Sequence, residues 1–475
     1  MYEMVIGLEV HVQLKTRSKV FAPEAVTFGE RPNSYVSWVS LGYPGTLPVL
    51  NKACVEAAVR LGLALNCEIA STFFFSRKNY FYPDLPKGYQ ITQEAAPIAR
   101  KGQILLRLPD GSRYPVGIER IQLEEDTGKS LHDQDPFDTL LDYNRAGIGL
   151  VEIVSEPDMR TAQQAMSYLA HIRRTVRFLG ISDGNMEEGS LRCDANISVR
   201  PLGSDTFGTR VEIKNLNSIS ALGRALEYEY QRQVELLRAG QPVLRETRTW
   251  DGNVTVPLRE KETADDYRYF PEPDLPPVVI STEWLGELQA SIPELPDRLF
   301  DRLVTEYGLT SEDAVLLTED RPYAEYFLAL LAEGVSPKSA ASWMNGPIRA
   351  YLNETASSME RFPLPPHRLV QLIQLIEQRK VSLSAAREKV FPHLVAHPNL
   401  HPVEIAQEMN LLLLHDENQL EAWISEILSE NPDKVEIYRK GKAGLLGFFV
   451  GQVVKRSGGK ADPKEVQRRL VEKLA

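Results

Sequence analysis

Glu9 and His11 stand two residues apart in the stretch "VIGLEVHVQL", Val5 to Leu14, and a carboxylate beside an imidazole can hold a cation or move a proton. On a strand, alternate side chains share a face, which sets the pair about 7 Å apart with Gln13 beyond them. Alone, Glu-x-His also fits the solvated face of an edge strand. Two further acidic sites change the balance. Glu124, Glu125 and Asp126 close the segment "VGIERIQLEED", and Glu152 lies within "GIGLVEIVSEPD" among Ile148, Leu150 and Val154. A carboxylate in so apolar a strand needs an arginine or a metal, because an unpaired buried charge costs several kcal/mol. Oxygen ligands with one imidazole suit Mg²⁺ or Mn²⁺, and Mg²⁺ commonly completes its shell with substrate phosphates. Nucleotide chemistry follows as the expectation. Arg77, Lys78, Arg192, Asn196, Lys214 and Asn215 are candidates to meet phosphate, with Asp194 on the face of Arg192 and Asn196. Each, taken singly, reads more readily as a solvated residue.

The elements that must position these groups are legible in the periodicity. Ile6, Leu8, Val10, Val12 and Leu14 form an unbroken apolar row, so a slip of one residue would expose that row and bury the Glu/His pair. Arg107 to Leu108, Val116 to Glu124, Ile148 to Val154, Leu191 to Val199 and Arg210 to Leu216 also read as strands. Helices are expected over Thr161 to Leu179 and Ser218 to Ala239, the second stopped by Gly240. The fold class is therefore α+β around a largely antiparallel sheet over residues 1–296. From Asp297 the period turns helical, broken by Pro322, Pro337, Pro347 and Pro363 into an all-helical domain, 297–400. A small helical tail, 401–475, should break at Gly458 and Gly459 and restart at Asp462 with Pro463 at the first helical position.

Composition bounds the function. A chain of 475 residues with 43% hydrophobic and 25% charged content suits a multidomain globular protein. The longest nearly apolar run, Gly444 to Val454, falls short of the roughly 18 residues of a membrane span, and no leader is seen, so a cytoplasmic location is expected. Cys54, Cys67 and Cys193 lack metal spacing and read as buried thiols. The net charge of −11 is uneven: Lys434 to Ala475 holds eleven Lys/Arg against four Asp/Glu, or +7, leaving −18 for the rest. A basic tail on an acidic body suits contact with phosphate backbone, although solvated helices are the plainer reading. "DTGKS" is not a phosphate loop, since Leu123 stands where its first glycine belongs and three acidic residues precede it. The aromatic and basic stretch from Phe73 to Gln90 could stack a base or pack a core.

Taken together, "VIGLEVHVQL", "YPGTLPVLN", "RKNYFYPDLPKGYQIT", "IQLEEDTGKS", "DYNRAGIGLVEIVSEPDM", "SLRCDANISVR", "EIKNLNS", "DYRYFPEPDLPP" and "GLLGFFVGQVVKRSGGKADP" resemble the B-subunit family of the glutamine-dependent aspartyl/glutamyl-tRNA amidotransferases, GatB. The resemblance spans essentially the whole chain. It implies a catalytic cradle, a helical domain and a tRNA-binding tail within a heterotrimer that includes an amidase subunit and a small third subunit. It implies a reaction in which ATP and Mg²⁺ phosphorylate the side-chain carboxylate of glutamate or aspartate misacylated on tRNA, after which ammonia displaces the phosphate. By this resemblance Glu9, His11, Glu124 and Glu125 carry catalysis, and with Glu152 they form the metal cluster. Many relatives also hold zinc with two cysteine pairs, whereas the matching positions here read Ala22, Glu24, Ser37 and Ser40, so no zinc is expected. A metal-dependent phosphoesterase or nuclease, and a non-enzymatic tRNA scaffold, are the rival readings.

Overall fold

The computed structural model describes residues 1–132, 134–260, 264–413 and 417–474. The chain divides into two compact units, Met1–Leu299 and Phe300–Ala475.

In the first unit the opening stretch becomes strand Tyr2–Gln13, fifth of nine in one sheet. Leu191–Pro201 lies on one side of it and Gly149–Ser155 on the other, both antiparallel. Arg113–Glu125 and then Ala99–Arg107 extend the sheet beyond Gly149–Ser155. Among the described residues the ladders of this sheet are antiparallel apart from Val211–Lys214 beside Glu246–Trp250, which run parallel. Ile6, Val10 and Val12 are fully buried and Leu8 and Leu14 nearly so. Burial of each such side chain is worth about 1.5–3 kcal/mol, which fixes the register of the strand. Helices Lys52–Ala64, Ala162–Phe178 and Ile219–Arg238 contribute their apolar sides to the same core. Thr161 and Gln164 close a capping box at the second, Ser218 caps the third, and Gly240 ends it at φ +72°.

Two expectations need correction. The strand read at Arg107 to Leu108 is the far end of Ala99–Arg107. Lys101 at φ +52° and Gly102 interrupt the alternation that would have revealed the longer element. Gly102 is required there because a Cβ would lie 2.4 Å from Cys67 Sγ. Pro347 does not break its helix either: Pro337–Trp343, Met344–Ile348 and Arg349–Glu354 follow without a gap, the middle segment being a π turn. Widening the turn takes up the hydrogen bond that proline cannot donate, and the Tyr323 hydroxyl donates to the Met344 carbonyl at 2.5 Å. A second π turn spans Ala386–Val390.

Near the chain's end, helix Leu445–Arg456 stops before Gly458 and Gly459, both at positive φ. Helix Pro463–Leu474 follows as expected, with the Lys464 N–H donating to Asp462 at 2.9 Å. Leu420, Ile424, Phe449, Val453, Val466 and Leu470 form the small core of this region. Among the described residues no helix is long and apolar enough to cross a membrane.

Candidate active site

Register assembles the site. His11 stands directly opposite Glu152 on one neighbouring strand and opposite Arg192 on the other, and Glu152 in turn stands opposite Gln122. Four strands thus carry Arg192, His11, Glu152 and Gln122 in one row on the face away from the apolar core. Glu9 lies one row along, opposite Asp194, and Gln13 one row the other way, with Leu150 and Glu124 across from it. His11 Nε2 is 3.8 Å from Glu124 Oε1 and 3.8 Å from Glu152 Oε1. Glu9 accepts the Asn196 amide at 2.8 Å, and Thr92 donates to Glu124 at 2.8 Å.

Burial governs the protonation of this row. It lowers the His11 imidazole to about 3, helped by the positive charge of Arg192 and opposed by Glu9. It raises Glu152 to about 8, with the neighbouring Glu124 and Glu9 adding to the rise, and it raises Glu124 as well. Near neutral pH a neutral imidazole therefore faces a protonated Glu152, whose proton a bound cation would have to displace. Adjacent ligands of one Mg²⁺ at about 2.1 Å lie about 3 Å apart, so His11, Glu124 and Glu152 have donor types that suit such an ion but would have to draw closer to hold it. As the side chains stand, no group of three or more His, Cys, Asp or Glu among the described residues is closed into a metal-holding set.

The expected set of five is not all on this face. Glu125 is turned away: its carboxylate pairs with Lys87 and accepts the Ile91 N–H at 2.9 Å, while its carbonyl accepts the Gln90 amide. Adjacent residues on a strand point to opposite faces, so Glu124 and Glu125 could not both meet His11. The phosphate candidates divide likewise. Arg192 stands opposite His11 and Asp194 opposite Glu9, one row along, and Lys214 reaches Asp194 at 2.5 Å. The Lys78 charge acts on both Glu124 and Glu152, although its ammonium rests 4.7 Å from the Tyr267 ring. Arg77 is instead bidentate on Glu272, contacts Asp274 at 3.1 Å and stacks on Tyr89. Asn215, at φ +64°, donates to the Trp250 carbonyl. Neither is brought to His11 by these contacts.

Asp126, which the sequence shows only as the end of an acidic run, lies beside this row. Its carboxylate accepts Gln13 Nε2 at 2.6 Å and Arg192 at 2.9 Å, with Arg145 3.7 Å away. Burial alone would raise it, but the Arg192 and Arg145 charges hold it at about 2. Asp126 thus fixes the guanidinium that flanks His11. Arg145 also donates to the carbonyls of Thr127 and Gly128, so "DTGKS" is an arginine-braced turn. Phe73 and Phe75 are core, edge-on to one another, whereas Phe81 is exposed. The segment without thiols is held by Lys19, whose buried ammonium donates to the Ala146 carbonyl at 2.6 Å, and by Ser40 on the same carbonyl.

In the tail much of the basic charge is met by carboxylates. Arg456 pairs with Glu426 and Glu430, Arg468 with Glu465 and Glu472, Arg469 with Glu421 and Glu465, and Lys473 with Glu421. Three of these acidic partners precede Lys434, outside the segment whose charge sums to +7. Among the described residues Lys442, Lys455 and Lys460 form no ion pair.

The unit that carries this row, and the chain as a whole, match known proteins in sequence. Residues 4–286 match the family described as the GatB/GatE catalytic domain, and residues 325–474 match the GatB domain. Similar proteins named as the B subunit of aspartyl/glutamyl-tRNA(Asn/Gln) amidotransferase occur in Thermosynechococcus vestitus, 50% identical, and in Carboxydothermus hydrogenoformans, 46% identical. The alignments cover all of this chain and 96% and 99% of those relatives. A relative of the same name in a Synechococcus strain is 49% identical over 98% of this chain and 96% of its own length. The chain belongs to the GatB family of amidotransferase B subunits.

Proposed function

We propose that this chain is the subunit that activates and amidates the side-chain carboxylate of glutamate or aspartate misacylated on tRNA. The amino-acid carboxylate attacks the γ-phosphorus of ATP, ADP departs, and an acyl phosphate forms. Ammonia then attacks the acyl carbon and phosphate leaves, giving the amide. The observation that carries this reading is the convergence of His11, Glu124 and Glu152 on one sheet face, in a chain whose relatives are named for this transfer.

His11, Glu124 and Glu152 would hold Mg²⁺, with Glu9 beside them. When bound, the ion would neutralise phosphate oxygens as the bond to the γ-phosphorus changes hands. Glu152 would give up its proton to make room for the cation. Thr92 orients Glu124, and Asn196 orients Glu9. Arg192, anchored by Asp126, and Lys78 supply fixed positive charge to a phosphate lying over the row. Ammonia would come from an amidase partner, with a small third subunit and a tRNA-binding tail completing the assembly.

Single-turnover incubation of the assembled complex with misacylated tRNA, ATP and ammonium tests the reading. The expected result is one ADP and one amide per tRNA converted. Phosphodiester cleavage without ATP would instead support a nuclease, and tRNA binding without ATP turnover a scaffold.

A further inference from the structure

The helical unit holds a second polar concavity that this reaction does not use. A cavity of about 480 Å³ is lined by Thr310, Asp313, Lys338, Ser342, Asn345 and Arg387, with Gly308 and Gly346 in its wall. Both π turns open on it, since Asn345 and Gly346 belong to one and Arg387 to the other. Such turns are rare and gather at functional sites, so two on one cavity call for an explanation beyond packing.

Arg387 is already positioned. Its Nη2 donates to Ser342 Oγ at 2.7 Å, its guanidinium lies 5.3 Å from the Trp343 ring, and its Nε–H is buried without a hydrogen-bond partner. Among the described residues it forms no ion pair, and neither does the exposed Lys338. Asp313 is the single carboxylate among the lining residues. Its Oδ1 accepts the Asn345 amide at 2.9 Å and its Oδ2 the Thr310 hydroxyl at 3.1 Å. Two cations therefore face one carboxylate that is already hydrogen-bonded.

We propose that this cavity is a phosphate-binding site, with Arg387 as the preset contact and Lys338 as the adjustable one. A planar guanidinium fixed on one side and a mobile ammonium on another suit a tetrahedral oxyanion. The phosphate belongs either to an RNA backbone or to a free anion. The RNA source rests on the tRNA-directed reading above, and the free source does not.

The test uses the full chain with Arg387→Gln, Arg387→Lys and Lys338→Ala, each checked for an unchanged circular-dichroism spectrum. Lys338→Ala removes only an exposed side chain, so it remains informative should Arg387→Gln disturb the fold. Inorganic phosphate is titrated against chloride at equal ionic strength, following the melting temperature, and tRNA binding is measured across a salt series. A backbone contact predicts roughly 5- to 10-fold weaker tRNA binding at 0.1 M salt and a salt slope flatter by about one in Arg387→Gln, partly restored in Arg387→Lys. A free-anion site predicts loss of the phosphate-specific rise in melting temperature with tRNA binding unchanged. Arg387→Gln and Lys338→Ala that both keep the wild-type phosphate response and salt slope would overturn the proposal. Failure of the amidation reading alone would leave the phosphate titration unaffected.

Discussion

The sheet face around His11 and the terminal helices are built from the same charged residue types in opposite electrostatic situations. In the terminal helices Arg456, Arg468, Arg469 and Lys473 meet carboxylates at the surface, and most of the local charge cancels. On the sheet face burial raises both Glu124 and Glu152, and the charge of Glu124 lifts Glu152 further, to about 8. Charge that satisfies itself in water stabilises little and is free to vary, whereas charge held short of a partner away from water is poised to accept one. Counting lysines and glutamates along the chain does not distinguish these cases; register does.

The largest expected effect tests whether the sheet face is the reactive one. His11→Ala or Glu124→Gln should lower ATP-dependent amidation by roughly 10²- to 10⁴-fold, while glutaminase activity of the partner persists at least in part. Near-wild-type amidation by both would move the chemistry elsewhere. Next comes stability against pH without divalent cations. The folded Glu152 carboxyl titrates at about 8, above its unfolded value of 4.5, so its contribution is fully present below 4.5 and is lost as pH rises through 8. Glu152→Gln should flatten denaturant midpoints over that window, and Mg²⁺ should stabilise the wild type more at pH 8.5 than at pH 6. An unchanged pH profile in the variant would show that Glu152 is not the group responsible.

A smaller effect is expected at the C-terminal end of the chain. Deleting residues after Asn399 should raise the Michaelis constant for charged tRNA by about 10-fold and leave single-turnover amidation at saturating tRNA intact. Loss of chemistry at saturation would contradict the contrast drawn between the two regions. The smallest effect is none: Arg468→Ala, which breaks two exposed ion pairs, should leave thermal unfolding within experimental error, because such pairs compensate each other in solvent. A clear drop in melting temperature would show that the surface pairs are structural.

Much of this arrangement is legible in the amino-acid sequence. Alternation in "VIGLEVHVQL" and "SLRCDANISVR" gives the faces correctly, and the apolar setting of Glu152 marks it as a residue in need of a partner. What alternation cannot give is which strands become neighbours, and Asp126 is visible only as part of an acidic run for that reason: its role lies in Arg192 and Arg145, elsewhere in the chain. Glu125 is a different case. Its parity relative to Glu124 can be read from the sequence, and that parity alone removes Glu125 from the cluster. The parallel strand pair and the π turn at Pro347 leave no local mark, since both depend on tertiary packing overriding propensity.

Placement of the functional strand in the middle of the sheet has a consequence for biosynthesis. Tyr2–Gln13 leaves the ribosome before either of its two partners, Gly149–Ser155 and Leu191–Pro201, which are made well over a hundred residues later. At about 5–20 residues per second, the strand waits on the order of 10–30 s with both edges open and an apolar row exposed. The row around His11 thus begins on an apolar strand with no neighbour to cover it, and a chaperone that shields this strand would protect the assembly of the site as much as folding.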